Sequence, residues 1–203
     1  MKTGLFGSSK NPKIFVISAP AGTGKSTLTA MLLKEFSLDL EETCSCTTRA
    51  PRNGEKEGLN YYFLSEEEFT QREKEGEFIE TVYLFSAKYG TLKGEILRIL
   101  NKNKHVVAVL DVKGALAIKK AMPVVTIFIA PPSIEEQKRR LLARNTEQSE
   151  MLLLRLNHAP YEIRAAAAYD YYVENSNLEK AYQILRSIFI AEGHKQGKAN
   201  NGN

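Results

Sequence analysis

Apolar and polar positions along this chain fall into alternating blocks. Lys13-Ile14-Phe15-Val16-Ile17-Ser18 is a short, almost unbroken apolar run, which reads as a strand buried on both faces. Thr27 to Phe36 follows with apolar residues at helical spacing. His105-Val106-Val107-Ala108-Val109-Leu110 is a second buried strand, and Val124 to Ala130 is a third, stopped by Pro131-Pro132. Ser133 with Glu136 three residues on has the form of a capping box and opens a helix to about Arg144; Ser65 with Glu68 repeats the signature before Phe69. Strands and helices in alternation predict an α/β fold of three layers, a central parallel sheet flanked by helices. Sheets of this kind take ligands at the carboxyl ends of their strands.

Two stretches break the rhythm. Residues 43–91 are rich in Tyr, Thr, Arg and Glu, with strand-like pieces such as Asn60-Tyr61-Tyr62-Phe63-Leu64, and are expected to form an inserted subdomain. Residues 144–157 carry Arg, Asn, Thr, Glu and Gln between two helical patterns, as a mobile lid does. The chain thus reads as one domain over 1–203, with its core in 13–42 and 92–190. Its two ends, 1–12 and 193–203, are polar and are expected to be loose.

Composition narrows the function classes. The 203 residues carry a net charge of +4, which suits a protein that handles phosphates but makes no basic stripe for nucleic acid. No apolar run is long enough to cross a membrane, and the first residues lack the apolar centre of a signal peptide. Cys44 and Cys46 are the only cysteines; their spacing suits neither a disulfide nor a zinc site, so a reducing cytoplasm is the expected home. The histidines at 105, 158 and 194 form no metal-ligand spacing.

The strongest chemical signal lies between the first strand and the first helix, in Ala19-Pro20-Ala21-Gly22-Thr23-Gly24-Lys25-Ser26, followed by Thr27. This is the phosphate-loop pattern with Ala19 at its first glycine. Gly22 and Gly24 allow positive φ, which turns backbone N–H groups inward, and the helix that follows aims its positive end at the same point. Lys25 reaches the β- and γ-phosphates and Ser26 offers a hydroxyl to Mg²⁺. The loop predicts a nucleoside triphosphate, and the insert after the first helix points to a small kinase whose second substrate lies beneath it.

The insert opens Ser45-Cys46-Thr47-Thr48-Arg49-Ala50-Pro51-Arg52-Asn53-Gly54-Glu55, then Gly58 and Tyr61. Two guanidinium forks and a phenol form a clamp for a phosphate monoester. Over residues 13–190 the chain resembles the guanylate kinases. The resemblance rests on the phosphate loop, this signature, Phe78-Ile79-Glu80, Tyr89-Gly90-Thr91, Pro131-Pro132-Ser133, Arg140-Leu141 with Arg144, and Tyr171, Val173 and Asn175. It implies Arg49, Arg52, Tyr61 and Tyr89 on the phosphate of GMP, and Ser45, Glu80 and Thr91 at guanine. That assignment suits the chemistry: guanine presents two adjacent donors, a carboxylate accepts both, and the hydroxyls can donate to O6. It further implies Arg140, Arg144 and Arg155 around the transferring phosphoryl group, Asn175 at adenine, and ATP with Mg²⁺ as co-substrate and metal. GMP is the expected acceptor, with dGMP left open beside it. A kinase for another nucleoside monophosphate and a non-catalytic phosphopeptide-binding module stay open beside it.

The chain departs from the family pattern in places. Where the family shows Asp-x-Asp-x-Gln-Gly, this sequence reads Val109-Leu110-Asp111-Val112-Lys113-Gly114. Asp111 is kept and is expected to contact the nucleotide; the first acid is replaced by Val109. Asn145 stands where the lid usually has glycine, and Lys88 where an aromatic often precedes Tyr89, with added charge near the phosphate as the expectation.

Overall fold

The computed structural model describes residues 12–143 and 149–195. Its main sheet has five parallel strands in the order β2 (Leu40–Glu42), β7 (His105–Val109), β1 (Ile14–Ser18), β8 (Val125–Ala130), β9 (Tyr171–Glu174). All five residues of β1 are buried, as its central place requires. Alternate residues serve opposite faces. Phe15 and Ile17 join Val107, Ile127 and Val173 against α1 (Lys25–Glu35) and α7 (Leu178–His194), through Leu28, Leu32, Leu185 and Phe189. Ile14 and Val16 join Val106 and Ala108 against α3 (Lys93–Leu100) and α4 (Val112–Ala121), through Ile96, Ile99, Ala115 and Ile118. The three-layer α/β arrangement expected from the sequence is therefore present.

The two outer strands carry no long apolar run. The strand Leu40–Glu42 has one buried residue of three and Tyr171–Glu174 one of four, so neither shows as a buried run in the sequence. His105 is structural: its Nδ1 accepts the Lys13 N–H at 2.9 Å, its ring meets Phe15 edge-on, and burial pushes it down to about 4.

A second sheet forms between β2 and α3 in the chain. Its order is β4 (Tyr61–Phe63), β3 (Ser45–Thr47), β6 (Ala87–Leu92), β5 (Phe78–Leu84). The pair β3–β4 is parallel, and β6 runs antiparallel to both β3 and β5. Its small core is Cys46, Phe69 and Phe78, with Phe69 supplied by α2 (Glu66–Lys74). Ser65 and Glu68 cap α2 reciprocally, as their spacing predicts. At α5 (Ile134–Ala143) only part of the box forms: Ser133 Oγ accepts the Glu136 N–H at 3.1 Å, while the Glu136 carboxylate accepts from Arg139 and Arg140. α6 (Ser149–Ala165) and a short 3-10 turn (Ala166–Ala168) lead into β9. Among the described residues no helix is long and apolar enough to cross a membrane.

Phe189 is fully buried and stacks on Phe15 with ring centroids 4.0 Å apart. Phe189→Ala is expected to destabilise the protein by about 3–5 kcal/mol. A guanidinium unfolding curve should show a lower midpoint at unchanged slope.

Candidate active site

The phosphate loop links β1 to α1, with Gly22 at φ 82° and Gly24 at φ 90°. A side chain fails at either glycine on a second count. A Cβ at Gly22 would sit 2.7 Å from Leu141, and one at Gly24 would sit 2.5 Å from Asn175 Nδ2. Gly24 is also the N-cap of α1, without a side-chain cap, and the first turn holds no acid. The leading amides of α1 are thus left for an anion.

Three carbonyls of the loop are held from behind. Thr23 Oγ1 donates to Pro20 O at 2.9 Å, Gln137 Nε2 to Ala21 O at 2.9 Å, and Asn175 Nδ2 to Thr23 O at 2.6 Å. Asn175, expected at adenine, is buried at 3% exposure behind the loop, with its Nδ2 donating to that carbonyl. Arg140 is also behind the loop: it donates to Glu136 at 2.8 Å and to the Asn175 carbonyl at 3.1 Å.

In front of the loop opens a cleft of about 700 Å³. Ala19 to Ser26 line it from the loop side, and Ser45, Tyr61, Glu80 and Tyr89 of the second sheet line it with Arg52 of the β3–β4 connection. Asp111 and Arg155 also open into it. Thr27 lies on the exposed side of α1, and Arg144 falls outside the described residues. Lys25 is half-buried; burial lowers its pKa, opposed by the charges of Glu162, Asp111 and Glu42.

Register in the second sheet fixes the rest. Ser45 pairs with Tyr61, Glu80 with Thr91, and Val82 with Tyr89. Thr91 is fully buried and donates to Glu80 Oε1 at 2.6 Å, so the hydroxyl expected at guanine O6 is committed to the carboxylate beside it. Glu80 is 7% exposed, and its other oxygen, Oε2, is buried without a hydrogen-bond partner. Burial pushes its carboxyl up to about 7, with Thr91 opposing and Asp111 adding. Asp111 caps α4, accepting the amides of Lys113 at 2.7 Å and Gly114 at 3.1 Å on one oxygen.

Arg49 is gripped by Glu55 in a two-pronged pair, both contacts 3.0 Å, and lies 5.5 Å from the centre of the Tyr61 ring. Glu55 also accepts the Arg52 N–H at 2.7 Å. Burial works against its charge, yet these partners hold Glu55 below the usual carboxylate range. One acid therefore fixes the fold of the whole arginine segment. Glu55 stands inside the signature, so its spacing from Arg49 and Arg52 was a usable signal.

Other residues of the cleft had no local signal. Glu162 on α6 opens into it, its carboxyl pushed up to about 7 by burial, with Lys25 opposing and Asp111 adding. Phe85, at φ 49° in the β5–β6 turn, presents its ring to the Arg155 guanidinium at 5.9 Å and to His158 at 5.8 Å. Val109 lines the cleft as well, and Glu42 at the end of the neighbouring strand β2 shares that wall. Lys88 turns away from the expected phosphate position, pairing with Glu66 at 3.0 Å and Thr70 at 3.1 Å on α2. Cys44 and Cys46 are buried thiols.

Known proteins resemble the chain over most of its length. A family model described as guanylate kinase matches residues 11–192. A guanylate kinase of Chlamydia trachomatis is 55% identical over 184 residues, 91% of this chain and 90% of that protein. One from Protochlamydia amoebophila is 46% identical over 196 residues, 96% of this chain and 98% of that protein. A crystal structure of guanylate kinase from Anaplasma phagocytophilum superposes with a TM-score of 0.76 at 34% identity, covering 92% of this chain and 88% of that one.

Proposed function

The chain belongs to the guanylate kinase family, and we infer from that membership and from its cleft that it transfers the γ-phosphoryl group of ATP to GMP, giving ADP and GDP. The observation that carries the choice of base is Glu80. A carboxylate oxygen buried without a partner is costly, and guanine N1–H and N2–H₂ are a donor pair that one carboxylate satisfies. Adenine lacks that pair and would leave the oxygen unsatisfied.

The roles follow from where each group stands. The loop amides and Lys25 take the β- and γ-phosphates of ATP. Arg49, Arg52, Tyr61 and Tyr89 take the phosphate of GMP, Ser45 and Glu80 its base, and Thr91 orients Glu80. A GMP phosphate oxygen attacks the γ-phosphorus, the bond to the β,γ-bridging oxygen breaks, and that oxygen leaves with ADP. No strong general base is needed, because the attacking oxygen is already an anion. Catalysis is positioning plus neutralisation of the charge that spreads over the transferring group. Lys25, Arg155 and Arg144 are assigned to that charge, with Arg140 supporting the loop.

Ser26 and Asp111 bring hydroxyl and carboxylate oxygens to the same cleft, the hard donors Mg²⁺ takes. A bound Mg²⁺ supplies positive charge on the phosphate oxygens. We read residues 43–91 as the GMP-binding part and 144–157, of which 144–148 lie outside the described residues, as the lid, closing to keep water from the γ-phosphate. The cytoplasm, with its ATP and GMP, is the proposed location.

A coupled assay across nucleoside monophosphates tests the function. ADP should appear from ATP only with GMP or dGMP, and equal rates with AMP, CMP or dTMP would overturn the guanine assignment. A calorimetric test addresses Glu80. Burial pushes its carboxyl up to about 7, and GMP needs the ionised form. Binding near pH 7 is therefore expected to release a proton, and KM for GMP to rise about tenfold per pH unit well below 7. Binding enthalpy should then vary with the ionisation enthalpy of the buffer; no variation would mean Glu80 does not change protonation.

A further inference from the structure

Gln137 has no part in the family signature, yet it is completely buried and reaches from α5 to the phosphate loop. Its Nε2 donates to Ala21 O at 2.9 Å, while its Oε1 is buried without a hydrogen-bond partner. An apolar side chain would avoid that unsatisfied oxygen. A donor held at such a cost calls for a use other than stability.

The geometry of the peptide unit shows the use. In a planar trans peptide the C=O and the N–H of the next residue point in opposite directions. A hydrogen bond that draws the Ala21 carbonyl back toward α5 aims the Gly22 N–H forward, into the cleft. Asn175 does the same two units along, through Thr23 O and the Gly24 N–H, and the Thr23 hydroxyl does it one unit before, for Pro20 O and the Ala21 N–H. Leu141, one turn after Gln137 on α5, packs against the Cα of Gly22 and steadies the same unit.

We propose that Gln137 and Asn175 are positioning residues for the nucleotide: two buried carboxamides that set the direction of the loop amides meeting the phosphates. The inference rests on the reading of this loop as the ATP-phosphate site, which binding of ADP to the unaltered chain tests separately.

The experiment is Gln137→Leu, which keeps the volume and removes the amide, with Gln137→Met as a second, unbranched replacement should leucine fail to fold. ADP and GMP are titrated separately by calorimetry, kinetics are measured against each substrate, and melting temperature is recorded. The expected result is ADP affinity weakened about tenfold, KM for ATP raised, KM for GMP within twofold, and a melting temperature unchanged or higher. That combination distinguishes positioning from mere packing, since a packing role would lower the melting temperature. ADP affinity within twofold of the unaltered chain overturns the proposal. So does a parallel fall of ADP affinity, GMP affinity and melting temperature.

Discussion

Lys25→Met is expected to lower kcat by about a hundred- to a thousandfold while the protein stays folded. Lys25 is the first residue of α1, beside a loop whose amides face the cleft. Its ammonium is the side-chain charge this loop itself can place on the transferring group. Removal also takes away the cation that offsets the acids Glu162, Asp111 and Glu42 in this part of the cleft. KM for ATP should therefore rise with the fall in kcat. The fold should not suffer, because burial disfavours the charged lysine and methionine is a comparable helix former. Steady-state kinetics with a thermal melt decide the matter. A variant retaining kcat within tenfold would remove Lys25 from the reaction.

Glu80→Gln is expected to lower kcat/KM for GMP by about a hundredfold, at little change in ATP affinity. A carboxylate accepts at both oxygens, whereas an amide presents one acceptor and one donor group. Against guanine one contact turns from attraction to donor facing donor, worth about 2–4 kcal/mol with the lost charge. Thr91 would still donate to the remaining oxygen, so the local fold is kept. The sharp readout is discrimination: the ratio of GMP to AMP turnover should collapse while ADP titration is unchanged. GMP turnover equal to that of the unaltered chain would mean that Glu80 does not read the base.

The reach of sequence reading is clearest in the elements that carry their own signal. Ile14–Ser18 needs apolar side chains on both faces, so its place in a covered sheet is written in five consecutive residues. The turn at Gly22 and Gly24 is written in two glycines that no other residue replaces. Outer strands such as Leu40–Glu42 escape because pairing, rather than composition, makes them strands. Site residues divide in the same way. Arg49, Arg52, Glu55 and Tyr61 stand within one short segment, and their spacing is their signal. Gln137, Glu162 and Phe85 come to the cleft or loop from distant elements, and nothing in their neighbourhood distinguishes them. Asn175 and Thr91 were legible as important, but their work was not. Which atom a buried amide or hydroxyl faces depends on packing between segments far apart in sequence.

The central place of β1 has a consequence for the birth of the chain. Its partners, β7 and β8, lie some 90 to 110 residues further on. At roughly 5–20 residues per second, a ribosome takes on the order of ten seconds after Ser18 to supply Phe128. The segment Ile-Phe-Val-Ile has both edges unpaired until His105–Val109 is made, and one edge unpaired until Phe128, whereas the β5–β6 hairpin of the second sheet pairs residues close together in the chain. Pulse-labelled nascent chains released before Ala130 should therefore bind chaperones that hold exposed apolar segments, and those released after α7 should not.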